Sequence, residues 1–170
     1  MHSLRAATGA DIGAIQAIEV DAGRRFAEAG LDDIANAPPP EADDLRLAIA
    51  SETCWVATLD AQIAGYAEAS ITDGQAHLHQ VSVAMAFQGR GLGRALIEHV
   101  FAWATAQQFT SITLTTFAEL SWNGPLYEHL GFVEVTPADG SELAMIRDAE
   151  IAQGLDVRPR IAMRRALEQR

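Results

Sequence analysis

The sequence contains no lysine: all twelve of its basic residues are arginine. That excludes a phosphate loop of the Gly-x-x-x-x-Gly-Lys-Ser/Thr type, a Schiff base and a lysine nucleophile. Cysteine is nearly absent too. Cys54 is the single one, so no intrachain disulfide can form. Its setting, Cys-Trp-Val-Ala-Thr-Leu, reads as a buried thiol in a strand. No apolar run approaches the roughly 18 residues of a transmembrane helix. Residues 1 to 15 lack the continuous apolar segment of a signal peptide. Positive charge is scarce, with 12 basic against 23 acidic residues and a net charge of -11. Such a balance argues against nucleic acid and against anionic membrane surfaces as partners. The expected compartment is the cytoplasm.

What is present describes a globular protein. Hydrophobic residues make up 49% and charged residues 21% of 170 positions, enough for one domain with a sizeable core. Residues 3 to 7 read as a short strand. Thr8 with Asp11 three residues on forms a capping box before a helical stripe through Ile12, Ile15 and Ile18-Glu19. Residues 26 to 44 are less regular. They end in Pro38-Pro39-Pro40 and hold six carboxylates from Glu28 to Asp44 with no base between them. A helix is predicted over 41 to 50. Strands are predicted over 54 to 59, 63 to 71 and 76 to 83, with turns at Asp60-Ala61-Gln62 and Thr72-Asp73-Gly74. A helix to about Gln108, a strand over 111 to 117, a helix over 122 to 130 stopped by Gly131, and strands over 132 to 136 and 160 to 164 complete the chain. A variable segment lies between the last two, with a helix placed at 142 to 153. Neither repeat nor linker is visible, so residues 1 to 170 read as one domain of mixed α/β class.

The stretch that organises the rest runs from Val81 to Ala95. Val81, Ser82 and Val83 end a strand; Gln88 to Gly93 supply three glycines in five positions; Leu92, Leu96, Val100 and Trp103 then recur at helical spacing. A helix N-terminus leaves backbone N–H groups unpaired and carries partial positive charge. Glycines let an anion approach those groups closely, and Arg90 and Arg94 add full charges beside them. The pattern is a phosphate cradle. It is not the dinucleotide fingerprint Gly-x-Gly-x-x-Gly, because Arg94 takes the third glycine's place.

Gln88-Gly89-Arg90-Gly91-Leu92-Gly93 fits Gln/Arg-x-x-Gly-x-Gly/Ala, and so resembles the pyrophosphate-binding motif of the GCN5-related N-acetyltransferase (GNAT) family. A second stretch, Asn123-Gly124-Pro125-Leu126-Tyr127-Glu128-His129-Leu130-Gly131-Phe132, is similar to that family's Asn-x-x-x-Tyr-x-x-x-Gly-Phe. The two together are more specific than either alone. The resemblance is strong from 76 to 133 and topological elsewhere. It implies an α+β mixed sheet of about seven strands flanked by helices in a single GNAT domain. It also implies acetyl-CoA as co-substrate, a small-molecule primary amine as acceptor, and direct attack in a ternary complex. Backbone amides of residues 88 to 94 would hold the pyrophosphate, and Asn123 the pantetheine arm. Tyr127 would protonate the leaving thiolate.

The amine must lose a proton before it attacks. Ala76-His77-Leu78-His79-Gln80-Val81-Ser82-Val83 resembles the His-x-His strand of the arylalkylamine acetyltransferases, and strand alternation puts both imidazoles on one face. A structural pair satisfied by neighbouring strands is the equal alternative. Glu68, on the preceding strand, is the rival base. Amides around Val81 and Val83, together with Ser82, would bind the acetyl carbonyl and pantetheine. His77, His79 and Cys54 have no fourth ligand by spacing, so no metal is expected. Phe117 and Trp122 read either as core or as an apolar wall near Tyr127. A peptide or protein amino-terminal acetyltransferase and a non-catalytic acyl-CoA sensor stay open as alternatives, and a homodimer is compatible with the sequence.

Overall fold

The computed structural model describes residues 1–169. Seven strands form one mixed sheet: β1 (His2–Ala6), β2 (Cys54–Leu59), β3 (Gln62–Thr72), β4 (Gln75–Val83), β5 (Ser111–Phe117), β6 (Val133–Val135) and β7 (Arg160–Ala166). Their order across the sheet is β1-β2-β3-β4-β5-β7-β6. Six helices accompany them: α1 (Ile12–Glu28), α2 (Asp32–Ala35), α3 (Ala42–Ala50), α4 (Leu92–Ala106), α5 (Gly124–His129) and α6 (Glu142–Ala152). One of these was not expected: Asp32 to Ala35, within the stretch read as irregular, makes a single helical turn. The α6 helix lies between the last two strands, within the segment expected to be helical, and the Ser141 hydroxyl caps its N-terminus.

The chain divides into two compact units, Met1–Ser70 with His79–Val100, and Ile71–Leu78 with the residues from Phe101 onward. In the first, β1 pairs antiparallel with β2, and β2 with β3. Alternation gives β2 and β3 two different faces. Cys54, Val56 and Tyr66 point to one side and pack with Ile12, Ile15 and Ile18 of α1 and Leu45 and Ala48 of α3. Trp55 points to the other, its ring 5.4 Å from the His99 imidazole of α4. Gly65 lies on this second side because nothing larger fits: a Cβ there would fall 2.9 Å from the Ser82 carbonyl oxygen and 3.2 Å from Leu96. The α1 start is fixed by charge. Asp11 accepts from the Thr8 backbone N–H at 2.8 Å, and both its oxygens accept from Arg5, at 2.7 and 2.9 Å. Arg5 first, with Thr8 assisting against the opposing effect of burial, holds the Asp11 carboxyl down to about 2.

In the second unit, Ala76 and His77 of β4 pair in parallel with Ile112 and Thr113 of β5. β7 runs antiparallel to both β5 and β6. The hairpin at Asp73-Gly74 has positive φ at both residues, 53° and 71°, which matches the twist of two-residue hairpins. Asp73 then caps α6, its carboxylate accepting from the Glu142 N–H at 2.8 Å and the Leu143 N–H at 3.1 Å. Arg147, Glu150, Asp156 and Arg160 form a linked set of ion pairs at 2.7 to 3.0 Å beside Thr115. Among the described residues, no helix is long and apolar enough to cross a membrane.

Candidate active site

The residues singled out in the sequence fall in both units. In the first unit β4 ends at Val83 and the chain turns through Met85–Phe87 and residues 88 to 91 into α4. Gly89 and Gly91 have φ of +74° and +80°. L-residues reach that region only at a cost, so both positions need glycine for the turn itself. A Cβ at either would meet nothing within 4 Å. Both Cβ positions are therefore open, in the turn that leads into α4, whose first N–H groups have no intrahelical acceptor. The motif glutamine is structural. Gln88 Nε2 donates to the Val83 carbonyl at 3.0 Å and closes the turn onto the strand end. Arg90 and Arg94 are exposed. Arg90 lies 5.7 Å from the Phe87 ring centroid, and Arg94 donates to Glu98 at 2.7 Å. An exposed pair one helical turn apart contributes only about 0.3–0.5 kcal/mol, so Arg94 can leave it for a stronger anion.

Beside the strand end lies a polar group that periodicity did not reveal. Glu19 of α1 accepts from Tyr66 at 2.8 Å, from Ser82 Oγ at 2.6 Å and from Gln80 Nε2 at 2.9 Å. The Ser82 hydroxyl is thus committed to α1. Burial, with the negative charge and hydrogen bond of Glu19, raises the Tyr66 phenol far above its ordinary range. Two residues along α1, Asp21 accepts from the Met85 N–H at 2.6 Å.

Glu68 stands opposite Cys54 on β2. Burial raises its carboxyl above the ordinary value, Asp44 and Glu19 push the same way, and His79 opposes them. Cys54 is pushed up to about 12, mainly by burial, so the thiol is inert. His79 itself is exposed. His77 is not: it is 2% exposed, belongs to the second unit, and its Nδ1 lies 2.8 Å from the Thr113 hydroxyl. Alternation gives the two imidazoles one face of β4 but not one environment. The acidic residues Glu28, Asp32, Asp33, Glu41, Asp43 and Asp44 are all exposed. Arg46, just past the run, pairs with Asp43, so that stretch is not wholly without a base.

In the second unit, Thr116 Oγ1 donates to Asn123 Oδ1 at 2.8 Å, which frees the Asn123 amide nitrogen to donate elsewhere. Asn123 begins α5, and its carbonyl accepts from the Tyr127 N–H at 3.0 Å. Gly124 makes this corner possible: a Cβ there would fall 2.4 Å from the Ala118 carbonyl oxygen. Tyr127 is buried, edge-on to Phe132 at 5.7 Å, and burial pushes its phenol up to about 12. Phe117 is core, 3% exposed and covered by the Arg160 guanidinium at 4.5 Å.

A strand, a turn with two left-handed glycines and an anion-accepting helix start, set in this strand order, define an acyltransferase fold. The chain belongs to the acetyltransferase (GNAT) family, whose sequence model matches residues 16–132. A stretch of 87 residues is 33% identical to human N-acetylaspartate synthetase, covering 50% of this chain and only 29% of that protein. The ribosomal-protein-S18-alanine N-acetyltransferase of Escherichia coli superposes with a TM-score of 0.71 at 20% identity, over 100% of this chain and 96% of the other. The N-acetylglutamate synthase of Neisseria gonorrhoeae, solved with coenzyme A and N-acetylglutamate, gives 0.72 at 17% identity, over 99% of this chain and 36% of that one.

Proposed function

We propose that this acyltransferase moves the acetyl group of acetyl-CoA to a primary amine of a small molecule, by direct attack within a ternary complex. The observation that carries the reading is the open, left-handed Gly89–Gly91 turn at the start of α4, a cradle for a pyrophosphate. In this reading the N–H groups of residues 88 to 94 hold the diphosphate, backbone around Val81 and Val83 receives the acetyl and pantetheine groups, and the free Asn123 amide donates to the pantetheine arm. The amine nitrogen attacks the thioester carbon; the C–N bond forms as the C–S bond breaks. Tyr127, kept protonated by burial, gives its proton to the departing thiolate. Glu68, whose raised carboxyl is a stronger base than an ordinary glutamate, takes the proton of the incoming ammonium, with His79 beside it.

Two of the proteins named above are synthases of N-acetylaspartate and N-acetylglutamate by name, and the third is named for the alanine of a ribosomal protein. The residues here favour a charge opposite to that of aspartate or glutamate. The exposed acidic run from Glu28 to Asp44, and the negative charge that Glu19 and Asp44 add around Glu68, would attract a cationic amine and repel a carboxylate, with a neutral amine unaffected. The test is steady-state thiol release from acetyl-CoA with a panel of amines: an alkyl diamine, an arylalkylamine, a short alanine peptide, aspartate and glutamate. Turnover is expected to be fastest with one of the first two. Aspartate or glutamate as best acceptor would refute the charge argument, and the peptide as best acceptor would make this an amino-terminal acetyltransferase. Acetyl-CoA binding without turnover of any amine would leave the sensor reading.

A further inference from the structure

We infer that Glu19 is a positioning residue for acetyl transfer, holding the Gln80–Ser82 segment of β4 in the register in which its backbone receives the acetyl group. This rests on the acetyltransferase reading above. Three donors converge on one carboxylate: Tyr66 and Ser82 on Oε2 at 2.8 and 2.6 Å, Gln80 on Oε1 at 2.9 Å. Gln80 spends its second amide hydrogen on Ser82 Oγ at 3.1 Å. Tyr66 is fully buried, so the clamp has a fixed foot in the core. Only an acceptor-only group satisfies two hydroxyls and an amide together without turning any of them round. The placement carries the inference. Gln80 and Ser82 both turn toward α1, and the Val81 peptide lies between them, so its N–H is held from either side. The same helix holds two further points: Asp21 takes the Met85 N–H at 2.6 Å, where the turn toward Gln88 begins, and Gln16 donates to the Pro40 carbonyl at 2.9 Å. A helix gripped at three places lets little of this strand end move alone.

The test compares Glu19→Ala, Glu19→Gln and Ser82→Ala for kcat, for acetyl-CoA affinity by calorimetry, and for amide hydrogen exchange over residues 80 to 85. A misplacement of about 1 Å costs up to roughly 10²-fold, so Glu19→Ala is expected to lower kcat by roughly 10- to 100-fold. Acetyl-CoA affinity should stay within about threefold of wild type, because the diphosphate cradle lies beyond the clamp. Exchange at 80 to 85 should quicken. Glu19→Gln should recover only part of kcat, since its oxygen can still accept from Gln80 while its nitrogen obliges the two hydroxyls to turn round. Its pH profile should match wild type. Wild-type kcat or unchanged exchange in Glu19→Ala overturns the inference. So does a Glu19→Gln variant as slow as Ala that has lost the acidic limb, because the carboxylate would then be the proton acceptor. If Glu19→Ala does not fold, Ser82→Ala decides: unaltered kcat together with unaltered exchange refutes the clamp. Absence of acetyl-CoA binding in the wild type would refute the acetyltransferase reading alone, with the exchange data still judging the clamp.

Discussion

A methyl group at Gly91 separates what the turn needs from what the ligand needs. The residue sits at φ +80°, where an L-residue costs roughly 1–2 kcal/mol. A Cβ there meets no protein atom within 4 Å. Gly91→Ala should therefore lower folding stability by that amount and no more. If the diphosphate lies in the open space, the methyl displaces it from at least one backbone N–H. A hydrogen bond to a charged group contributes about 1.5–3 kcal/mol, so acetyl-CoA affinity should fall by roughly 10- to 150-fold. Gly74→Ala is the matched control: its φ is +71°, its Cβ also meets nothing, and it lies in the β3–β4 hairpin. Calorimetry with acetyl-CoA and denaturant titration of both variants give the two quantities. The cradle reading is refuted if folded Gly91→Ala binds acetyl-CoA as well as wild type, or if Gly74→Ala loses as much.

Tyr127→Phe should lower kcat by roughly 10²-fold with acetyl-CoA affinity intact. The ring keeps its buried place against Phe132, so folding stability should change by less than about 1 kcal/mol; a large loss of stability would show the hydroxyl to be structural. With an acceptor of low pKa, the acidic limb of kcat/KM should lie above the ordinary glutamate range, because burial raises Glu68. Glu68→Gln should abolish that limb and His79→Gln should keep it, whereas the reverse result would give the role to the imidazole. Asp11 is held near 2 against an ordinary 3.8, chiefly by Arg5. A depressed carboxyl stabilises the fold above its unfolded pKa and ceases to as pH falls through the folded one. About 1–2 kcal/mol, discounted because Arg5 is half exposed, should be lost between roughly pH 4 and pH 2. Asp11→Asn should remove that part of the dependence in denaturant titrations, and an unchanged acid profile would refute it.

The elements with a strong local pattern were legible. Ser111 to Phe117 is a strand at both stated ends, and Cys54 to Leu59 likewise, because β-branched alternation between turn residues leaves little else. The α2 turn was not, since four residues from Asp32 to Ala35 make too short a stripe to register against the acidic background. The edge strand β6 came out three residues long, at Val133–Val135, where a longer run was expected. Pattern marks apolar faces, but how far a strand extends is settled by its partner, here the Val133 to Val135 register on β7.

In the site the division has a different cause. Glycine and glutamine in the cradle could be read because the backbone makes a local demand: a left-handed turn needs Gly89 and Gly91, and the contact that Gln88 closes spans only five residues. Glu19 could not be read that way. Its partners stand 47, 61 and 63 residues away, and from helical periodicity it is one more polar position after Ile18. The sole hint was indirect: Gln80 and Ser82 are polar at alternate positions, and one face of an interior strand does not bury two such groups without an acceptor. The same reasoning separates the two histidines. Spacing puts His77 and His79 on one face, but burial depends on what covers each. His77 lies against Thr113, while His79 is open to solvent, where its charge can oppose the raised Glu68 carboxyl. In the proposed reaction, Glu68 is thus the acceptor because the fold desolvates it, whereas His79 is exposed and the buried His77 is tied to Thr113.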